Sequence, residues 1–111
     1  MNVLALDDAV VLELVGAFER DPDKALKAAI DAALDAHTPV IVDLTRVTRL
    51  PALALGVLVY ADTKAARRGV AIAFVLPPRT RRVVSDVAGL EEHVRVYRSR
   101  AHALRAVTGS E

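Results

Sequence analysis

The 111-residue chain has no cysteine, which excludes disulfide bridges, zinc–thiolate sites and iron–sulfur clusters. It also lacks tryptophan and holds only two tyrosines and two phenylalanines. With Tyr97 alone among the basic residues of the C-terminal half, there is no aromatic platform for stacking single-stranded nucleic acid, and no nucleic-acid partner is expected. Long hydrophobic runs are missing too. The longest, Leu50 to Ala61, falls well short of the ~20 residues that span a bilayer. The opening MNVLALDDAVVLELV has two aspartates and no basic region ahead of its apolar residues, unlike a secretory signal peptide. A soluble cytoplasmic protein is the expectation.

The common catalytic signatures are absent as well. There is no G-x-G-x-x-G, no G-x-x-x-x-G-K-[ST] and no H-E-x-x-H, so the backbone cradles for phosphate and the helical zinc pair are missing. His37, His93 and His102 are scattered at element ends, and no two share a metal-binding spacing on one helix. Ser85, Ser99 and Ser110 are the serines, and none sits in a strained G-x-S-x-G elbow. The expectation is a protein that is not an enzyme, with no cofactor and no metal site.

What is present suits one compact α/β domain over residues 1–111. The hydrophobic share is 53%, carried by Ala, Val and Leu, and argues against disorder. The net charge of +1 conceals a strong asymmetry: residues 1–63 hold five Lys/Arg against ten Asp/Glu, and residues 64–105 hold ten against three. Arg79, Arg81, Arg82, Arg95, Arg98, Arg100 and Arg105 are interleaved with Val, Leu and Ala at spacings expected of solvated faces.

Periodicity and punctuation give the elements. Val3 to Leu6 and Val10 to Val15 read as a hairpin turning around Asp7 and Asp8. Asp21 before Pro22 reads as a helix start, Leu26, Ile30, Ala33 and Leu34 recur on one face, and the helix ends near His37 before Pro39. Val40 to Val42, ending in Asp43, and Ala71 to Leu76 read as buried parallel strands. Between them a helix from about Pro51 to Arg68 stops at Gly69, which makes a parallel crossover. A short helix from about Thr80 to Ala88, a strand from Val94 to Tyr97 and a last helix capped by Ser99 and running through Val107 complete the chain.

Two features bear on function. Asp43 stands at the C-terminal end of a central strand, where its carboxylate can accept hydrogen bonds from N–H groups near Thr45 and Arg46 and anchor the loop leading to Pro51. The segment Leu50 to Ala61 is apolar around its whole circumference, so as a helix it needs cover on more than one side, either from the core or from a second protein. Gly56 costs such a helix ~1 kcal/mol relative to Ala, which points to close approach by another backbone.

The ordered pieces VVLELVGAFER, VIVDLTRVTRL, LGVLVYADTKAARRGVAIAFV and VVSDVAGLEEHVRVYRSRAHAL resemble the STAS family of sulfate transporters and anti-sigma factor antagonists, from about Val10 to Leu104. The most telling are Asp43-Leu44, Leu55-Gly56-Val57-Leu58, Arg68-Gly69 and Gly89-Leu90. The resemblance implies a single-domain α/β fold with a mixed sheet of four to five strands and about four helices. It also implies bacterial partner switching: binding of an anti-sigma factor or serine kinase, or of another STAS protein, with phosphorylation as the off-switch. In the family the acceptor is the Ser or Thr of a D-[ST]-x-G-type helix opening. Here Pro51 stands at the acidic position, Ala52 at the acceptor, Leu53 next to it and Ala54 at the small residue. The expectation is a partner-binding surface formed by Thr45, Arg46, Thr48, Pro51, Ala52, Leu53, Leu55 and Gly56, without phospho-control at Ala52. Thr45, Thr48 and Ser85 are the hydroxyls left to carry any alternative phosphorylation. Two other readings stay open: a sensor or carrier of a lipid or nucleotide, using the groove beside Leu50 to Ala61 with Arg79, Arg81 or Arg82 at an anionic head group, and a structural subunit of a larger STAS assembly or a homodimer.

Overall fold

The computed structural model describes residues 2–17, 22–49, 52–76, 96–97 and 99–108. In chain order these form β1 (Asn2–Ala5), β2 (Val10–Ala17), α1 (Pro22–Asp35), β3 (Val40–Arg49), α2 (Ala52–Arg68), β4 (Ile72–Val75), β5 (Val96–Tyr97) and α3 (Arg100–Thr108). The strands make one mixed sheet in the order β1-β2-β3-β4-β5. β1 and β2 are the antiparallel hairpin, closed by the Leu6 N–H donating to the Ala9 carbonyl at 2.8 Å. β2, β3, β4 and β5 run parallel to one another. Five strands agree with the reading of the sequence. Three helices stand among the described residues, and the expected fourth, from Thr80 to Ala88, lies outside them.

The period-2 alternation of the strands sorts the core into two layers. Leu12, Leu14, Val40, Val42, Leu44, Ile72 and Phe74 face α1 and α2, where Leu26, Ile30, Leu34, Leu58, Ala61 and Ala65 complete a large apolar cluster. Val11, Ile41, Ala73 and Val75 face the other way and pack a smaller cluster with Ala103 and Val107 of α3. All of these side chains are buried. Burial of the central strands on both faces explains why Val40 to Val42 and Ile72 to Val75 read as unbroken apolar runs.

Both long helices end in the same way. At α1 the Thr38 N–H reaches the Ala33 carbonyl at 2.9 Å, and at α2 the Val70 N–H reaches the Ala65 carbonyl at 2.9 Å. Each end needs one residue in the left-handed region, and that residue is Gly69 in α2 and His37, at a φ of 56°, in α1. His37 is therefore an exposed helix terminator. Ser99 caps α3 as expected, its Oγ accepting from the His102 N–H at 3.2 Å.

β3 departs from the reading of the sequence. It does not stop at Asp43 but continues to Arg49, so Thr45, Arg46 and Thr48 belong to the strand and not to a loop. β4 accompanies it only from Val40 to Asp43. Beyond that point, among the described residues, β3 pairs with β2, through Val15 and Arg46, Gly16 and Val47, and Ala17 and Arg49. The register shifts by one residue between Glu13 and Val15 and again between Gly16 and Ala17, placing an extra β3 residue at each break. The first extra residue reverses the alternation, which lets Val47 join Leu44 in the α1/α2 cluster and leaves Thr45 and Arg46 exposed.

Candidate functional site

The bulge at Thr45 is held by Asp43, the one buried charged residue of the described core. Its Oδ1 accepts from the Thr45 N–H at 2.9 Å and from the Thr45 hydroxyl at 2.7 Å, as the sequence leads one to expect. Its Oδ2 accepts from Arg100 at the start of α3, through Nη2 at 2.7 Å and Nε at 3.0 Å. The same Nη2 also donates to Oε2 of Glu13, which faces Asp43 across the β2–β3 pairing. Asp43 thus anchors a strand bulge and a distant helix together. This replaces the expectation of a loop anchor, because the segment it fixes is strand.

Electrostatics follow from this geometry. Burial pushes the Asp43 carboxyl up, but the Thr45 hydroxyl and N–H and the Arg100 guanidinium outweigh it and hold the group below the ordinary carboxylate range. Arg100, with help from Asn2, lowers Glu13. Asp43 and then Glu13 raise Arg100 further. Arg100 carries no local sequence mark, and its sequence neighbourhood is that of a solvated arginine. Its partners lie 57 and 87 residues away, and the one available signal was the opposite charge of the two halves of the chain.

That asymmetry is used a second time on the α1–α2 seam. Asp31 accepts from the Tyr60 hydroxyl at 2.8 Å and from Lys64 at 2.9 Å, while Asp35 meets Lys64 at 3.3 Å and Arg68 at 2.9 Å. Lys27 lies over the Tyr60 ring, 4.6 Å from its centroid. Burial raises Asp31, but Lys64 and Tyr60 bring it below its ordinary range, and Asp31 in turn raises Tyr60 and Lys64. The polar end of α2 is thereby spent on α1.

The opening of α2 follows β3 closely. Ala52 is the first residue of the helix, and its first turn carries no acidic residue. Leu50 and Pro51 lie outside the described residues, as do Ser85, Arg79, Arg81 and Arg82. Thr45 and Arg46 are exposed on the strand leading to this opening, and Gly56 is exposed one turn into the helix. A Cβ built on Gly56 meets nothing within 4 Å, so the close approach expected there is not made by the described parts of this chain. Leu58, Ala61 and Ala65 bury one face, Val57 and Val59 are half-buried, and Tyr60 is exposed. From Gly56 onward the helix therefore has one well-covered side. Two shallow surface hollows lie elsewhere, one between Leu6 and Leu104 beside Asp7, Asp8 and Arg105, the other along Tyr60, Lys64 and Arg67. Among the described residues no group of His, Asp or Glu is arranged to hold a metal, and no helix is long and apolar enough to cross a membrane.

Comparison with known proteins agrees with this architecture. An anti-sigma factor antagonist from Mycobacterium paratuberculosis superposes with a TM-score of 0.81 at 27% identity, covering 96% of this chain and 91% of that one. SpoIIAA, an anti-sigma factor antagonist, matches in its unphosphorylated form with a TM-score of 0.77 at 17% identity over 97% of this chain and 96% of its own. The phosphorylated form of the Bacillus protein matches at 0.73 and 16% identity over 96% and 97%. At those lower identities the likeness is one of fold. No match was found among curated proteins. The family model described as the Mlab STAS domain matches residues 1–98. With nearly the whole sequence covered by that model, the chain belongs to the STAS domain family.

Proposed function

We propose that this protein is a cytoplasmic, non-enzymatic regulator of the anti-sigma factor antagonist type, which binds an anti-sigma factor or serine kinase, or another STAS protein, through the end of β3 and the opening of α2. The single observation that carries this reading is likeness over 96% of the chain to an anti-sigma factor antagonist. The surface comprises Thr45, Arg46, Thr48, Pro51, Ala52, Leu53, Leu55 and Gly56. A helix opening is a natural place for a phosphate, because its free N–H groups and dipole favour negative charge. Ala52 has no hydroxyl to modify, and the binding is read as independent of phosphorylation at that position.

Titration calorimetry against the anti-sigma factors and STAS proteins of the host, with and without ATP, tests this proposal. The expected result is a one-to-one complex with one of them, unaffected by ATP, and no phosphate detected by mass spectrometry. Stoichiometric phosphate on Thr45, Thr48 or Ser85 that abolishes the complex overturns the phospho-independent reading. Failure to bind any of these proteins overturns the reading as a whole. Ala52→Ser then asks whether phosphorylation can be restored beside Pro51.

A further inference from the structure

Arg100 is placed to do more than neutralise a buried acid. It stands on the first turn of a helix that is itself fixed, by the Ser99 cap and by burial of Ala103 and Val107. From there its Nε and Nη2 both engage Oδ2 of Asp43, which leaves Oδ1 turned toward Thr45. The clamp on the bulge depends on this division of labour between the two oxygens. An Asp43 carboxylate without Arg100 would be a buried charge with only Thr45 to offset it, and such a group either rotates toward water or takes up a proton. Rotation takes Oδ1 away from the Thr45 N–H and hydroxyl, and protonation removes the negative charge that strengthens both bonds. Arg46 follows directly, exposed and close enough to lower the Glu13 carboxyl through its charge.

We propose that Arg100 is a positioning residue for the Leu44–Thr45 bulge that precedes Arg46, so that the last helix sets the shape of a surface more than fifty residues upstream. Its functional consequence rests on the partner-binding reading above, whereas the coupling itself does not.

Amide hydrogen exchange by NMR on the full chain tests the coupling. Arg100→Ala is expected to speed exchange of the Thr45 amide by about tenfold or more, since hydrogen bonds to charged groups carry at least that much. Arg100→Lys, which supplies a charge without the fork, is expected to restore part of the protection. Ser99→Ala is the control: removing the cap loosens α3 amides such as Ala103, but because Arg100 itself remains, exchange of the Thr45 amide should rise less than in Arg100→Ala. Unchanged Thr45 exchange in Arg100→Ala overturns the proposal. So does a Ser99→Ala variant that releases Thr45 as strongly as Arg100→Ala, because the effect is then general loosening of α3. Affinity for the partner found by calorimetry separates the two claims. A loss that follows Thr45 exchange supports both, and accelerated exchange with unchanged affinity removes the bulge from the partner surface while the coupling stands.

Discussion

The two faces of the sheet are held by different physics. The face toward α1 and α2 is closed by a continuous apolar cluster, with the ion pairs of its described residues on the outer seam of the helix pair. The face toward α3 has a small cluster, and its upper end is closed by a buried carboxylate and an arginine. Apolar packing is indifferent to pH and direction, so it gives the domain its stability. A charged fork has one geometry and one protonation state, so it fixes shape at a chosen place. The ionic closure lies beside the strand end that leads to the proposed partner surface, where shape matters most.

The comparison is broken most severely by emptying the apolar face. Phe74 is fully buried in the middle of the larger cluster, and Phe74→Ala is expected to cost about 3–5 kcal/mol by chemical denaturation. A loss below about 1 kcal/mol would mean that this face is not the main source of stability. Asp43→Ala ranks next, at about 2–3 kcal/mol, reduced from the cost of breaking a fully buried pair because Arg100 is 38% exposed and can rehydrate.

Acid distinguishes the two faces once a substitution marks each of them, since Asp31 on the α1–α2 seam is also acid-sensitive. Asp43 and Glu13 hold their protons less tightly folded than unfolded. Their contribution is therefore complete above the ordinary carboxylate range near about 4 and is lost as pH falls through the lower folded values. Urea midpoints followed from pH 6 toward pH 2 should fall in the wild type and fall less in Asp43→Asn, while Phe74→Ala runs parallel to the wild type. Equal slopes in all three would assign the acid sensitivity to other groups.

The apolar face was legible in the sequence and the ionic one was not. Leu26, Ile30, Ala33 and Leu34 recur with helical period, and Pro22, Gly69 and Ser99 mark helix ends in the positions where caps act locally. In the sequence β3 reads as ending at Asp43, since Thr45-Arg46 is polar and has the character of a loop. What keeps it in the sheet is a side-chain bond from Asp43 and a register shift relative to β2, neither of which has a period. The Asp43–Thr45 part of the site was readable, since its partners are two residues apart, whereas Arg100 required knowing which element folds over which strand.

Smaller effects sharpen the contrast on the outer side of α1 and α2. Asp31 joins Tyr60 and Lys64, but its side chain is 30% exposed, and Asp31→Ala should cost at most about 1 kcal/mol, less at high salt. A loss as large as that of Asp43→Ala would show that this seam, too, is an ionic closure.

Gly56→Ala is expected to have the smallest effect on folding and the opposite sign. Apart from its own neighbours and the surrounding helix backbone, no described atom lies within 4 Å of a Cβ at this position, and the backbone there is helical, so the substitution removes the entropy cost of glycine without a clash. Thermal denaturation should show a gain of about 0.5 kcal/mol. If Gly56 lies in the proposed surface, the same variant should bind the partner more weakly, because the added methyl group would stand between the two chains. Higher stability with unchanged affinity would take Gly56 out of the interface and move the contact toward the Thr45–Arg46 strand end.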